Sequence, residues 1–270
     1  WALPDENKFL QVRSHRNNYN NCFWQLKTTY NDFKNNVIQK TKGNIISSVC
    51  SSKYFDPGHI KRIDFLKYME NKNDDVVKIN VYNHDNDHKF ESYMGPHPPG
   101  NKDVGVLPYK YYFMAENNQE INFITEKIWE SLIGECLCFY WGCPNLSEYI
   151  DPRAYIVLPL DDYEKSFQIV KEAILNDEWG KRLEIIRREK QKVLEYYNFF
   201  PTLERILKHD YQFNYKPTDE EIKYKKIFKD THNKKLDNVC FIHSCTLTDT
   251  TEILDELLLL INDTKLYDSL

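Results

Sequence analysis

The sequence predicts an α/β fold built on a parallel sheet, and three observations carry that expectation. Residues 44–50 (NIISSVC) and 76–82 read as buried strands with a helical pattern between them. The order strand, helix, strand returns at residues 109–115, 125–133 and 136–141, and repeated units of this kind mark a parallel sheet. The chain of 270 residues is long enough for one large or two modest domains with an ample core.

Each element has a local warrant. Residues 1–44 are polar and asparagine-rich, and within them residues 25–39 fit a helix with Leu26, Tyr30, Phe33 and Val37 inward. Residues 51–58 are turn-rich. Residues 59–70 carry Ile60, Ile63, Leu66 and Lys67 at helical spacing. Residues 83–108 read as a long polar loop with His84, Asp85, Asp87, His88 and four prolines. In residues 109–115 aromatic and apolar side chains alternate, and the polar run 116–120 ends the strand. Thr125-Glu126-Lys127 then opens a helix with Ile128, Leu132 and Ile133 on one face. Thr125 is placed to cap it through its hydroxyl, and Gly134 to end it. Gly142, Pro144 and Asn145 form the exit turn of the next strand. Residues 154–158 read as a short strand, 165–175 as an amphipathic helix, and 178–197 as a long charged helix followed by another at 201–208. The charge run 181–192 reads as a solvated face. Residues 210–238 look like a lysine-rich linker, and 239–270 like the start of a further α/β unit, with a strand at 239–243 and an apolar helix at 250–261.

Composition narrows the partners. Lys and Arg number 36 against 41 Asp and Glu, a net charge of -5, which argues against a general nucleic-acid surface. There is no apolar run of about eighteen residues, so no membrane span is expected in this stretch, and no signal peptide is visible. The first residue is Trp1, so the chain reads as a piece of a longer polypeptide. The seven cysteines (Cys22, Cys50, Cys136, Cys138, Cys143, Cys240 and Cys245) are odd in number and match no zinc spacing. Cys136 and Cys138 fall on one face of an apolar strand and read as core thiols. Asn145-Leu146-Ser147 and Asn262-Asp263-Thr264 are formal glycosylation sequons.

In an open parallel sheet the loops at the carboxyl ends of the strands line the ligand crevice. That geometry gathers Glu116, Asn117, Glu126 and Lys127 near one helix N-terminus, whose free N–H groups and partial positive charge suit a phosphate. Lys127 adds a full charge, and a carboxylate beside it can accept from sugar hydroxyls. Thr125-Glu126-Lys127 at a helix start is also ordinary solvated capping chemistry. Asp85-Asn86-Asp87 has two readings, a hydrophilic turn or a manganese or magnesium site flanked by His84 and His88. The turn is favoured, because an Asp-x-Asp string is common in a charged chain.

YKYYFMAENN (109–118) and FITEKIWESLIGECLCFYWGCPN (123–145) resemble the donor-binding signature of the α1,3-fucosyltransferases of glycosyltransferase family 10. The resemblance covers about residues 46–210. It implies a GT-B-type fold whose Rossmann-like donor domain spans 45–209, with 1–44 a remnant of the acceptor-side domain. It also implies inverting transfer of fucose from GDP-fucose to a glycan hydroxyl. Asn117 then bonds donor hydroxyls or phosphate, Glu126 binds sugar hydroxyls, and Arg62 and Lys127 hold the diphosphate, with Lys61 a rival to Arg62. Glu116 ties the turn. No metal cofactor is required if the two cations neutralise the leaving group. The family's general base has no matching segment and is expected upstream of Trp1; nothing in the setting of Glu6 supports that role. Phe123 and Asn118 depart from the family's tyrosine and its serine or threonine. Two alternatives stay open: a transferase for another nucleotide sugar, and a non-catalytic nucleotide-sugar- or glycan-binding module. The compartment would be the Golgi for a eukaryotic-type enzyme and the cytoplasm otherwise. Acceptor, linkage and oligomeric state are not encoded in these motifs.

Overall fold

A computed structural model describes residues 24–96 and 101–205. The linker expected at 210–238, the unit at 239–270, Glu6, Cys22, Cys240 and Cys245 lie outside the described residues, as does residues 1–23 of the expected remnant.

Six strands form one sheet: β1 (Ile46–Val49), β2 (Ile79–Tyr82), β3 (Tyr93–Gly95), β4 (Tyr111–Ala115), β5 (Leu137–Trp141) and β6 (Tyr155–Val157). Every pairing is parallel, in the order β3-β2-β1-β4-β5-β6. This is the doubly wound, Rossmann-like arrangement, with its switch point between β1 and β4. The helices are α1 (Tyr30–Asn35), α2 (Pro57–Lys72), α3 (Asp103–Val106), α4 (Glu126–Ile133), α5 (Tyr163–Leu175), α6 (Glu178–Lys192) and α7 (Phe199–Arg205). Because parallel crossovers are right-handed and β1 to β2 runs opposite to β4 to β5, α2 and α4 lie on opposite faces of the sheet. No described helix is long and apolar enough to cross a membrane.

The centre of the sheet is the core. All five residues of β4 and all five of β5 are buried, with Phe113 edge-on to Phe65 of α2 at 5.2 Å and Tyr111 stacked on Phe139 at 5.9 Å. Trp129 of α4 is fully buried and packs on Tyr197 at 5.3 Å. Burying a large aromatic side chain contributes about 2–3 kcal/mol, so these rings anchor α2 and α4 to the sheet. Cys50, Cys136, Cys138 and Cys143 are buried free thiols.

Several expectations need correction. The first helix is only Tyr30–Asn35, closed by a capping box between Thr29 and Asp32. Leu26 and Phe33 enter the core as expected, but Val37 is exposed. The loop forecast at 83–108 contains β3 and α3. β3 has no buried residue and a register shift against β2, so it leaves no apolar run to read. The helix forecast to 197 changes hydrogen-bond register, with a π-helical turn over Val193–Tyr197. The charge run on α6 is not wholly solvated: Glu189 and Lys190 are buried, and Lys190 pairs with Glu135 at 2.8 Å. Gly134 does end α4, as expected, and Glu135 after it takes the left-handed conformation at φ 56°.

At the switch point the turn before α2 touches the end of β4. Gly58 N–H donates to Asn117 O at 2.9 Å. A Cβ on Gly58 would sit 1.6 Å from Glu116 O. Gly58→Ala is therefore expected to cost at least about 2 kcal/mol, because backbone must move to admit the methyl. Urea unfolding with an unchanged midpoint would refute this close approach.

Candidate functional site

The carboxyl ends of β1 and β4 face each other across the switch point, and the first turns of α2 and α4 open beside them. α2 begins at Asp56, with Pro57 at its first helical position, where a missing N–H costs nothing. α4 begins after Thr125. The Thr125 hydroxyl does not cap it: the side chain makes no cap bond. It donates instead to Glu116 Oε2 at 2.6 Å, while Thr125 N–H donates to Glu116 Oε1 at 3.0 Å. Glu116 thus ties together the two ends of the turn, residues 116–125, between β4 and α4.

Glu116 is held on every side. Its backbone N–H donates to Trp141 O at 2.8 Å. Gly142 leaves room for its side chain, since a Cβ there would lie 2.5 Å from Glu116 Cγ. Lys127 Nζ lies 3.3 Å from Glu116 Oε2, 3.4 Å from Glu126 Oε1 and 3.0 Å from Thr125 Oγ1. Lys102 Nζ lies 3.7 Å from Glu126 Oε1 and 2.9 Å from Glu130 Oε2. Glu116, Lys127, Glu126, Lys102 and Glu130 therefore form one chain of alternating charge.

The environment separates the three carboxyls. Burial pushes Glu116 above its ordinary value, against Lys127 and Thr125. Burial likewise raises Glu130, against Lys102. Burial also acts on Glu126, but Lys127 and Lys102 together outweigh it and hold that carboxyl below its usual range. Glu126 is thus the member kept ionised between two lysines.

Arg62 reaches the same strand end from α2. Its Nη1 donates to Ala115 O at 2.8 Å, its Nε is buried without a partner, and the residue is 2% exposed. Arg62 and Lys127, from opposite faces, thus engage consecutive residues, the last of β4 and the first after it. Lys61 turns elsewhere, to Leu160 O at 3.3 Å and the Asp161 carboxylate at 2.5 Å. Asn117 is half-buried and binds Gly58 through its backbone. His59, in the first turn of α2, is buried; burial and then Arg62 hold its imidazole below the usual value, and Lys53 and Lys127 act in the same direction.

Asp85 and Asp87 stand apart in a surface turn. Asp87 N–H donates to Asp85 Oδ1 at 3.4 Å, and His88 bonds Ser52 O at 2.9 Å. Among the described residues no group of three or more His, Cys, Asp or Glu is arranged to hold a metal ion. A cavity of about 450 Å³ lies between α1 and α6, lined by Phe33, Asn36, Glu135 and Arg187. Glu135 precedes β5, so this cavity borders the amino ends of the strands, whereas the Glu116 cluster is at their carboxyl ends.

A stretch of 72 residues is 25% identical to the α-(1,3)-fucosyltransferase FucT of Helicobacter pylori. It spans 26% of this chain and 15% of that enzyme. No family model matches the chain. Among solved structures, an α1,3-fucosyltransferase with GDP-fucose aligns with a TM-score of 0.42 at 17% identity, over 58% of this chain and 50% of the other. A UDP-forming α,α-trehalose-phosphate synthase from Burkholderia xenovorans aligns at 0.44 and 9% identity, over 67% and 48%. The chain thus covers about half the length of these structures.

Sequence reading missed Lys102 and Glu130. Glu130 is four residues after Glu126 and so shares its helix face, a signal that was available. Lys102 lies in a loop whose pairing with α4 has no local trace. Glu116 yields a pH test. A carboxyl raised in the folded state binds more protons there than in the unfolded chain, so stability falls as pH rises through the window between the two pKa values. Glu116→Gln removes that titration, and its urea midpoint should fall less steeply than the parent's as pH rises from about 4.5. Equal slopes would show that Glu116 does not contribute.

Proposed function

We propose that this chain is the donor-binding part of a nucleotide-sugar-dependent glycosyltransferase of the GT-B type, with GDP-fucose as donor and a glycan hydroxyl as acceptor. The observation that carries the reading is the meeting of two cations at one strand end. Arg62 reaches Ala115 O, and Lys127 reaches the carboxylate of Glu116, beside two helix N-termini at the switch point. That arrangement suits an anion lying over the carboxyl ends of β1 and β4. The similarity to the H. pylori enzyme supports the fucosyl donor over other sugars.

In this reading the acceptor oxygen attacks the anomeric carbon in line while the bond from that carbon to the diphosphate breaks. A general base takes the hydroxyl proton. The sugar passes through an oxocarbenium-like state. Negative charge grows on the departing diphosphate, where Arg62 and Lys127 lower the barrier. Glu126, kept ionised by its two lysines, accepts from sugar hydroxyls, and Asn117 bonds the donor from the turn after β4.

Calorimetry with GDP-fucose, GDP-mannose and UDP-glucose tests the donor: GDP-fucose should bind tightest. Lys127→Ala and Arg62→Ala should each weaken that binding by about 1.5–3 kcal/mol, the worth of a charge-assisted bond, with unfolding midpoints measured alongside. Unchanged binding in both variants would favour a scaffold over a donor site. EDTA, Asp85→Ala and Asp87→Ala should leave donor binding unchanged; loss with any of them would restore the metal reading.

A further inference from the structure

We propose that His59 is a further donor-site residue, whose Nε2–H bonds a diphosphate oxygen and whose ring takes up a proton as that anion binds. This inference rests on the nucleotide-sugar reading and adds to it a residue and a proton.

The geometry defines the state of the ring. His59 Nδ1 is 3.4 Å from Asp56 N–H and accepts from it, closing the reciprocal half of the capping box that starts α2. A nitrogen that accepts carries no proton, so the neutral ring holds its proton on Nε2. Nδ1 is also 3.4 Å from Asp56 Oδ2. When the ring is protonated, Nδ1–H has that carboxylate to donate to. The Asp56 N–H then gives up its bond to the ring, and the pair with the Asp56 carboxylate replaces it; Nε2 is a donor in both charge states.

Nε2 is also available. The unpartnered polar side-chain atoms sealed from solvent, among the described residues, are Arg62 Nε, Tyr112 Oη, Trp129 Nε1 and Glu189 Oε2. Nε2 is not one of them, and no group among the described residues bonds it. The ring is otherwise enclosed: His59 is 2% exposed, and Phe55 packs on it edge-on at 4.8 Å. His59 adjoins Gly58, which touches the backbone of Glu116 and Asn117, so the ring borders the proposed diphosphate crevice.

The charges acting on the ring account for the proton. Asp56 at the helix cap favours the charged form; Arg62 on the same helix, Lys53 in the preceding loop and Lys127 from α4 oppose it. A diphosphate entering among these cations adds negative charge at the ring and offsets their repulsion. An anion raises the pKa of a neighbouring imidazole, so binding draws a proton. By linkage, affinity then rises as pH falls.

The test uses GDP-fucose, because a diphosphate diester does not titrate near neutrality and the proton is then the protein's own. Calorimetry in buffers of different ionisation enthalpy should report uptake of a fraction of one proton. Affinity should fall by up to about tenfold between about pH 6 and about pH 8. His59→Asn, which retains a side-chain oxygen and N–H groups, should bind GDP-fucose with no proton uptake and a flat pH profile. Binding by the parent without uptake, or uptake unchanged in His59→Asn, overturns this inference and leaves the donor reading standing. Absence of GDP-fucose binding by the parent overturns both.

Discussion

Everything at the switch point depends on one buried residue with glycine on both sides of it. Gly58 lies against the carbonyl of Glu116 and Gly142 against its side chain. The first contact draws the start of α2 onto the end of β4. The second lets the carboxylate lie flat between β4 and β5, where Thr125 and Lys127 engage it. A buried carboxylate is costly unless it is paired and hydrogen-bonded, and here two bonds from Thr125 and one ammonium supply that compensation. The two helix starts are thereby held in one arrangement before any ligand arrives.

The alternation of charge has a chemical consequence. An ammonium has three donors, and those of Lys127 already have three oxygens in reach. An anion bound here, as proposed, would share an oriented cation and would not have to collect a wandering one. Removing the reorganisation step in this way is where electrostatic catalysis gains most. Lys102 extends the same logic one residue further, since it reaches the same Glu126 oxygen as Lys127 and pairs with Glu130 beyond it.

The frame of the fold was legible because burial on both faces writes itself as apolar runs. β4, β5 and the inner face of α4 were read correctly on that basis. The errors occur where tertiary partners override local signals. Thr125 looked like a cap, but Glu116, nine residues earlier, takes its hydroxyl. Lys190 looked solvated, but Glu135, 55 residues away, draws it inward. β3 could not be read, because a half-covered edge strand of three residues has no hydrophobic period. In the site, the run from Glu116 to Lys127 was visible as a motif. The burial of His59 and Arg62 was not, since polar and charged residues in a helix ordinarily face water.

The π-helical turn at the end of α6 ties a distant segment to this arrangement. It carries Tyr197, whose hydroxyl donates to Tyr149 O at 3.0 Å and whose ring lies on Trp129 in α4. The wide turn accommodates one residue more than a regular helix would. A single-residue deletion there would let the segment rewind and swing Tyr197 by about 100° around the helix axis. α4 would then lose a ring that braces its outer side, so the indel tolerance of residues 193–197 reports on how firmly Glu126 and Lys127 are aimed.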